Sequence, residues 1–180
     1  MRKINEIFYS LQGEGFHTGT PALFIRFSGC NLKCDFCDTQ HESGTWMSDD
    51  EILRQAEACP AKMVVLTGGE PSLWIDEDLI RRFHAIGKYV CIETNGTHAV
   101  PDAIDWITCS PKGAPLQLDR IDEIKLVFTG QEVESFRALP AKHYFLQPCS
   151  CKNTAEVVKY ILAHPHWRLS LQTHKFIGIE

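Results

Sequence analysis

The chain has 180 residues, 44% of them hydrophobic and 23% charged, with a formal net charge of −5, which predicts one globular domain over residues 1–180. The acidic balance argues against a broad nucleic-acid interface. No apolar run approaches the ~20 residues of a membrane span, and residues 1–6 do not open a signal peptide, so we expect a cytoplasmic protein.

Short β-rich runs alternate with helical patterns along the chain. Ser48 and Glu51 form a capping box that opens the first helix. In chain order we predict strands at 4–10 (an edge strand), 22–27, 63–66, 89–92, 105–108, 123–128, 143–146 and 167–171, and helices at 48–59, 76–86, 131–139 and 154–164.

This alternation indicates an α/β fold with a parallel sheet. Polar motifs follow the strands at their carboxyl ends, which is typical of a barrel whose active site lies on that face. A complete eight-unit barrel needs about 250 residues, and the crossovers at 100–104 and 113–121 are too short for full helices. We therefore predict a partial, open (β/α) barrel with about six parallel strands and a reduced set of helices. An open doubly wound sheet is the alternative.

Three cysteines, Cys30, Cys34 and Cys37, follow the second strand at the spacing Cys-x3-Cys-x2-Cys. Thiolates select soft metals such as zinc, copper(I) or iron–sulfur clusters. Structural zinc sites and conventional 4Fe–4S clusters take four protein ligands. Either a fourth ligand comes from elsewhere, such as His41 or the pair Cys149 and Cys151 for zinc, or one metal position stays open to a non-protein ligand.

Two further features suggest a ligand-binding site. The strand at 63–66 ends in Thr67-Gly68-Gly69-Glu70-Pro71, whose glycines let the main chain approach a ligand closely. Arg26 lies inside an apolar strand, and a buried arginine needs an anionic partner. Because its planar guanidinium matches a carboxylate, we expect Arg26 to bind a substrate carboxylate.

Together, the cysteine spacing and the glycine motif resemble the radical S-adenosylmethionine (SAM) enzymes. The resemblance implies that Cys30, Cys34 and Cys37 hold a 4Fe–4S cluster whose open iron binds the methionyl group of SAM. An electron then cleaves SAM to methionine and a 5′-deoxyadenosyl radical, with reduced flavodoxin or ferredoxin as the donor. Phe36 would lie beside the adenine, and the Gly68-Gly69-Glu70 motif would meet the methionyl amine.

More of the chain is similar to the 7-carboxy-7-deazaguanine synthase family. The motifs are Ser-Leu-Gln-Gly-Glu-Gly at 10–15, Cys-Asp-Thr at 37–39, Glu-Thr-Asn-Gly-Thr at 93–97, Ser-Pro-Lys at 110–112 and Gln-Thr-His-Lys at 172–175. The resemblance implies conversion of 6-carboxy-5,6,7,8-tetrahydropterin to 7-carboxy-7-deazaguanine and ammonia, by radical ring contraction, in queuosine and 7-deazapurine biosynthesis. It also implies a Mg2+-dependent homodimer that acts on a small pterin.

The same resemblance implies roles for individual residues. Arg26 and Glu14 would be catalytic, with Arg26 on the substrate carboxylate, and Thr39 would ligate Mg2+, a hard ion that keeps oxygen ligands. The other predicted substrate contacts are Leu11, Gln12, Gly13, Thr94 and the C-terminal carboxylate, which belongs to Glu180. The other predicted cofactor contacts are Gly96, Ser110, Pro111, Lys112 and Gln147.

Alternatives to these assignments stay open. Thr39 and Thr94 could be turn caps, Lys112 a solvated lysine and Glu180 a frayed end. Among enzymes, a glycyl-radical activating enzyme shares the cysteine loop and would act on a partner protein. Outside enzymes, an iron–sulfur electron carrier or a zinc-held interaction module would also carry such cysteines. Cys149 and Cys151 are best interpreted as plain thiols.

Overall fold

The computed structural model describes residues 1–37 and 39–180; Asp38 of the Cys-Asp-Thr motif lies outside the described residues. The strands are β1 (Arg2–Leu11), β2 (Pro21–Phe27), β3 (Thr45–Met47), β4 (Met63–Gly68), β5 (Tyr89–Thr94), β6 (Trp106–Cys109), β7 (Ile121–Phe128), β8 (Ala141–Pro148) and β9 (Arg168–Leu169). The helices are α1 (Asp49–Ala58), α2 (Glu77–Ala85), α3 (Thr154–Ala163) and α4 (Thr173–Ile177).

All these strands form one open nine-stranded sheet in the order β3-β1-β2-β4-β5-β6-β7-β8-β9. Strand β2 and strands β4–β9 pair in parallel with their neighbours in this order. Strand β1 is antiparallel to β2, and β3 is antiparallel to β1. The predicted partial, open barrel is confirmed. The first strand is longer than predicted, and its Arg2–Ile4 end is covered by β3, so that end is not an edge.

The first half of the sheet is covered by α1 and α2. The capping box is present: the Ser48 side chain caps α1, and the Glu51 carboxylate accepts a hydrogen bond from the main-chain N–H of Ser48 at 2.7 Å. Apolar side chains of both helices pack on the outer face of β2, β4 and β5, and the fully buried Phe27 and Phe83 belong to this cluster. Fixed in this way, the carboxyl ends of these strands form a rigid rim.

The second half is covered more sparsely. Val157 of α3 packs against β7 and β8 in a second apolar cluster that also contains Trp167. The short segments between β5 and β7 contribute Leu116 and Leu118 in place of helices, as their length predicted. The sheet is open, with β3 and β9 at its two edges.

The α-helix predicted at 131–139 is wrong, because the structure has only a 3₁₀ turn at Glu134–Ala138. The Gln131 side chain accepts from the Thr129 amide at 2.7 Å, and the Glu132 carboxylate accepts from the Glu134 and Ser135 amides. Side chains that bond nearby main-chain groups compete with a helix. Pro140 then ends the segment before a full α-helix can form.

Residues 12–20 fold back across the open side of the barrel. Gln12 and Gly19 are joined by a main-chain hydrogen bond of 2.7 Å, and the Gln12 amide also donates to Thr20. The ring of Phe16 stacks on Trp106 and His143, whose side chains lie on the concave face of the sheet. This segment, the 12–20 loop, therefore forms the lower boundary of the site. Within the described part of the chain, no helix is long and apolar enough to cross a membrane.

Candidate active site

A cavity of about 1160 Å³ opens at the carboxyl ends of the parallel strands. It brings together most of the residues predicted from sequence, although these are spread over the whole chain. Those on its lining are Leu11, Gln12, Gly13, Glu14, Arg26, Cys30, Cys34, Phe36, Cys37, Thr39, Gly68, Gly69, Thr94, Ser110, Lys112, Gln147 and Glu180. This cavity is the candidate active site.

Three predicted cofactor residues, Glu70, Gly96 and Pro111, are buried behind the lining instead of on it. Glu70 is fully buried, and its carboxylate accepts hydrogen bonds from the Thr94 hydroxyl and the main-chain N–H of Asn95, both at 2.7 Å. The Ser72 amide donates to the same carboxylate at 3.0 Å. Glu70 therefore ties the end of β4 to the end of β5 and does not face the cavity.

The cysteine loop occupies one end of the cavity. Cys30, Cys34 and Cys37 are free thiols on the lining, and burial raises the pKa of Cys30. A side chain at Gly69 would overlap the carbonyl oxygen of Gly29, so only glycine allows the β4 motif to pack this closely against the loop. The Gly29 carbonyl in turn accepts from the Glu70 amide at 2.9 Å.

A ring of amide and hydroxyl groups fixes the start of the cysteine loop. The Asn31 side chain accepts a hydrogen bond from the side-chain amide of Asn95 at 3.0 Å and donates one to the Thr97 hydroxyl at 2.8 Å. The Thr97 hydroxyl donates to the Asn95 side chain at 2.7 Å, which closes the ring. The cysteine loop is thus attached to the segment after β5 by side-chain hydrogen bonds.

The donor set fits an iron–sulfur cluster. Three thiols on one loop face a common cavity, and a cubane cluster spreads its thiolates over separate corners. Among residues 1–37 and 39–180, no three His, Cys, Asp or Glu side chains converge on a single-ion geometry. Of the alternative fourth ligands considered from sequence, His41 and Cys149 also line the cavity, whereas Cys151 does not.

Phe36 and Lys112 form the wall next to the cysteines. The Lys112 ammonium lies 5.1 Å from the centre of the Phe36 ring and donates to the Ser110 hydroxyl at 2.8 Å. Burial lowers the pKa of Lys112. The lysine is therefore a held part of the wall, and the alternative of a fully solvated lysine is wrong.

The floor of the cavity is a buried ionic group centred on Lys125, whose side chain is 6% exposed. Its ammonium contacts Glu14 at 2.6 Å and Glu93 at 2.9 Å. Burial opposes both charges, but the two carboxylates hold the pKa of Lys125 above its usual value, and Lys125 holds that of Glu14 below. Gln12 and Thr67 donate to Glu93 at 3.2 and 3.1 Å. Glu14 and Lys125 are therefore ionised, and these two residues together with Glu93 are called the floor.

Amide side chains from the end of the chain complete this floor. Gln172 donates to Glu14 at 2.9 Å, and Gln147 accepts from the Ser170 hydroxyl at 2.8 Å. The Thr173 hydroxyl donates to the Gly13 carbonyl oxygen at 2.9 Å. These bonds attach the segment around β9 and α4 to the 12–20 loop, so the floor depends on residues more than 150 positions apart.

Arg26 lines the cavity, but it is only partly buried, and the expectation of a buried arginine is wrong. Its side chain is 22% exposed and its Nε–H donates to Glu6 at 2.6 Å, so a protein carboxylate already balances its charge. The guanidinium also lies 5.7 Å from the Phe8 ring. At the outer rim, the Ser10 hydroxyl donates to the main-chain oxygen of Glu180 at 2.7 Å.

Sequence reasoning missed Lys125 and Ser170, and it gave no role to Thr67, Glu93 or Gln172, although these three lie in motifs that it quoted. A signal was present for Lys125: charged residues recur inside the otherwise apolar strand β7. Alternate residues of a strand share one face, so charges at 123 and 125 predict a polar concave face. The partners of Lys125, in contrast, come from distant segments and carry no local pattern.

Comparison with known proteins agrees with this geometry. A sequence model of the Radical SAM superfamily matches residues 24–108. Over the full length of both chains, the protein is 67% identical to the 7-carboxy-7-deazaguanine synthase of Bacteroides thetaiotaomicron. It is 45% identical to that of Bordetella pertussis over 98% of each chain. The crystal structure of QueE from Escherichia coli superposes with a TM-score of 0.79 at 31% identity, covering 96% of this chain and 94% of that one. The chain therefore belongs to the 7-carboxy-7-deazaguanine synthase family of the radical SAM superfamily.

Proposed function

We propose that the protein converts 6-carboxy-5,6,7,8-tetrahydropterin to 7-carboxy-7-deazaguanine and ammonia, in queuosine or 7-deazapurine biosynthesis. One observation carries the proposal: a single cavity joins three free cysteines on one loop to an ionised floor of two carboxylates and a lysine. The cysteines suit a radical-generating cofactor, and the floor suits a heterocycle rich in N–H groups.

The substrate lies on the floor in this proposal. The Glu14 and Glu93 carboxylates accept hydrogen bonds from N–H groups of the pterin, and Gln12, Gly13, Leu11 and Thr94 line the same region. Charge-assisted hydrogen bonds of this kind are short and strong. Because the floor is already ionised and held by Lys125, it needs no rearrangement when the substrate binds.

Arg26 binds the substrate carboxylate. Its bond to Glu6 uses the Nε–H, and the guanidinium carries further N–H donors in the same plane. The Glu6 side chain is 49% exposed, so it can move into solvent when a substrate carboxylate takes its place. The main chain of Glu180, at the rim beside Ser10, lies close enough to the cavity to contribute a further polar contact.

Cys30, Cys34 and Cys37 would hold a 4Fe–4S cluster, and Phe36, Gly68, Gly69, Ser110, Lys112 and Gln147, which line the same cavity, would hold SAM. When bound, these groups would supply hydrogen-atom abstraction at the carbon that bears the substrate carboxylate. Arg26 keeps that carbon oriented, the floor keeps the ring from turning, and Glu70 holds the β4 and β5 ends at a fixed separation. Conversion of substrate to product and ammonia is redox-neutral.

Mg2+, an electron donor and a second subunit complete the proposal. Thr39 lines the cavity two positions after Cys37, and an oxygen ligand suits a hard cation that keeps several waters. A reduced flavodoxin or ferredoxin supplies the electron. The exposed side chains of Phe176 and Ile177 support a homodimer, since apolar surface of this kind favours contact between chains.

The test is product formation by the reconstituted enzyme. Protein with a full cluster, reduced anaerobically, is incubated with SAM, Mg2+ and 6-carboxytetrahydropterin, and the products are identified by mass spectrometry. We expect 7-carboxy-7-deazaguanine and one ammonia per turnover. If neither product forms in a sample whose cluster EPR signal changes on addition of SAM, the proposed reaction is ruled out, but the assignment of the cluster and SAM as cofactors still holds.

A further inference from the structure

Directly beneath the floor, Glu123 has no assigned role. It lies on β7 two residues before Lys125, on the same concave face, and is only 2% exposed. Its neighbours on β6 and β8 are Thr108 and His143. It is not part of the cavity lining, so it cannot touch a substrate there.

The Glu123 carboxyl group contacts the 12–20 loop. One oxygen accepts a hydrogen bond from the Phe16 amide at 3.0 Å. The other packs against Gly15, where any side chain would overlap it. Gly15 also has a left-handed φ of +66°, and its amide donates to Ser170 at 2.9 Å. Glu123 and Ser170 thus fix the main chain immediately after Glu14.

We infer that Glu123 is a positioning residue for substrate binding: from below the cavity it holds the Gly15–Phe16 main chain and thereby keeps the Glu14 carboxylate against Lys125. This inference rests on the proposed binding of a pterin on the floor. A displaced loop would move Glu14 away from Lys125, and misplacing a binding group by about 1 Å can lower activity about 100-fold.

The charge of Glu123 affects the same floor. Burial raises the pKa of Glu123 to about 7, although Lys125 and the Phe16 amide oppose this. The ionisable groups around it are Lys125 on its own strand, Cys91 and Glu93 on β5, His143 on β8, and Glu14 and His17 on the 12–20 loop. Ionised Glu123 adds a negative charge beneath two carboxylates, so an anionic substrate binds less tightly as the pH rises through this range.

The test compares Glu123→Ala, Glu123→Gln and a control, Asp122→Asn. Asp122 is an equally buried carboxylate of β7 that faces the opposite side, where it accepts from Ile107 and Lys142. For each holoenzyme with SAM we would measure kcat and KM, the Kd of the stable analogue 6-carboxypterin by fluorescence quenching, and the SAM-induced change in the cluster EPR signal, from pH 6 to 8.

We expect Glu123→Ala to raise KM and the analogue Kd at least about tenfold, with an unchanged EPR response to SAM. Because a glutamine oxygen can still accept from Phe16, Glu123→Gln should restore affinity to within about threefold at pH 6. Wild type should bind the analogue about three- to tenfold more weakly at pH 8 than at pH 6, whereas Glu123→Gln should show no such change and Asp122→Asn should follow wild type.

A wild-type KM in Glu123→Ala, or a wild-type pH profile in Glu123→Gln, would overturn the inference. So would an equal loss of affinity in Asp122→Asn, which would indicate a general structural effect. If Glu123→Ala does not fold, the Glu123→Gln pH profile decides. Failure of wild type to form the deazaguanine would overturn the proposed reaction, and the analogue Kd would still decide the role of Glu123.

Discussion

The two ends of the cavity are built in different ways. The cysteine end is a loop, with side chains from residues 30–37 held mainly by the Asn31–Asn95–Thr97 ring and by contact with Gly69. The floor is carried by strands and by the last segment of the chain, and its buried Lys125 is bonded to two partly buried carboxylates. A local loop can accept a bulky cofactor, whereas a rigid floor can select one substrate. The difference suggests that each end can be disabled without the other.

The largest effect is expected at the cysteine end, from Cys34→Ala. Loss of one of three cluster ligands should abolish turnover, because no radical can form without the cluster. The Kd of 6-carboxypterin should stay within about threefold of wild type, since the floor makes no contact with Cys34. Absorption spectroscopy and EPR of the cluster, with analogue binding to the same protein, provide the measurements. Loss of turnover together with loss of analogue binding would show that the two ends of the cavity are coupled.

At the floor, Glu14→Gln should lower kcat/KM for the pterin by about 100-fold or more. The amide keeps the shape of the side chain but removes the negative charge. Lys125 keeps its ion pair with Glu93, so no buried charge is left unpaired. Steady-state kinetics with Glu57→Gln as an exposed control on α1 provide the comparison. A loss confined to the KM for SAM would contradict the assignment of Glu14 to the substrate.

Glu70→Ala should reduce the free energy of unfolding by about 3 kcal/mol, because it leaves the Asn95 amide and the Thr94 hydroxyl without their acceptor. Urea denaturation measures this loss. Glu77→Ala, which removes an exposed helical ion pair with Arg81, should change the free energy of unfolding by less than about 0.5 kcal/mol. Equal effects of the two substitutions would mean that Glu70 does not join the ends of β4 and β5.

The last effect depends on pH: Glu123→Gln should gain stability relative to wild type, little at low pH and up to the size of the Glu70→Ala effect at neutral pH. The folded-state pKa of about 7 lies above the ordinary value of 4.5, so the folded wild type binds more protons and loses stability as the pH rises from 4.5 to 7. Glutamine does not titrate, so the variant should gain up to about 3 kcal/mol relative to wild type across this interval and no more above it. Urea denaturation at pH 5, 6, 7 and 8 measures the difference. A constant difference would contradict burial of a neutral Glu123.

Much of the cysteine end could be predicted from sequence because its information is local. Cys30, Cys34, Cys37 and Phe36 lie within eight positions, and their order alone indicates the chemistry. The glycine motif after β4 is equally contiguous. Glu70 shows the limit of this reasoning: it belongs to the motif, yet its side chain turns away from the cavity and bonds β5. Position in a motif does not determine side-chain direction.

The floor could be predicted only in part because its contacts are long-range. Lys125 meets Glu14 across 111 positions and Gln172 meets Glu14 across 158, and no local period records such pairs. The fold was predicted better, since strand and helix periods are local, although β3 with three residues gave too short a pattern. At 131–139, side-chain bonds from Gln131 and Glu132 and the following proline prevented the helix that the apolar spacing favoured.

The most direct test of two separable ends is made on one sample of reconstituted Glu14→Gln. Its reduced cluster is examined by EPR with and without SAM, and the Kd of 6-carboxypterin is then measured by fluorescence quenching. We predict a wild-type EPR response to SAM together with analogue binding weakened at least about tenfold. An altered SAM response with unchanged analogue binding would contradict the assignment of the Glu14–Lys125–Glu93 floor to the substrate.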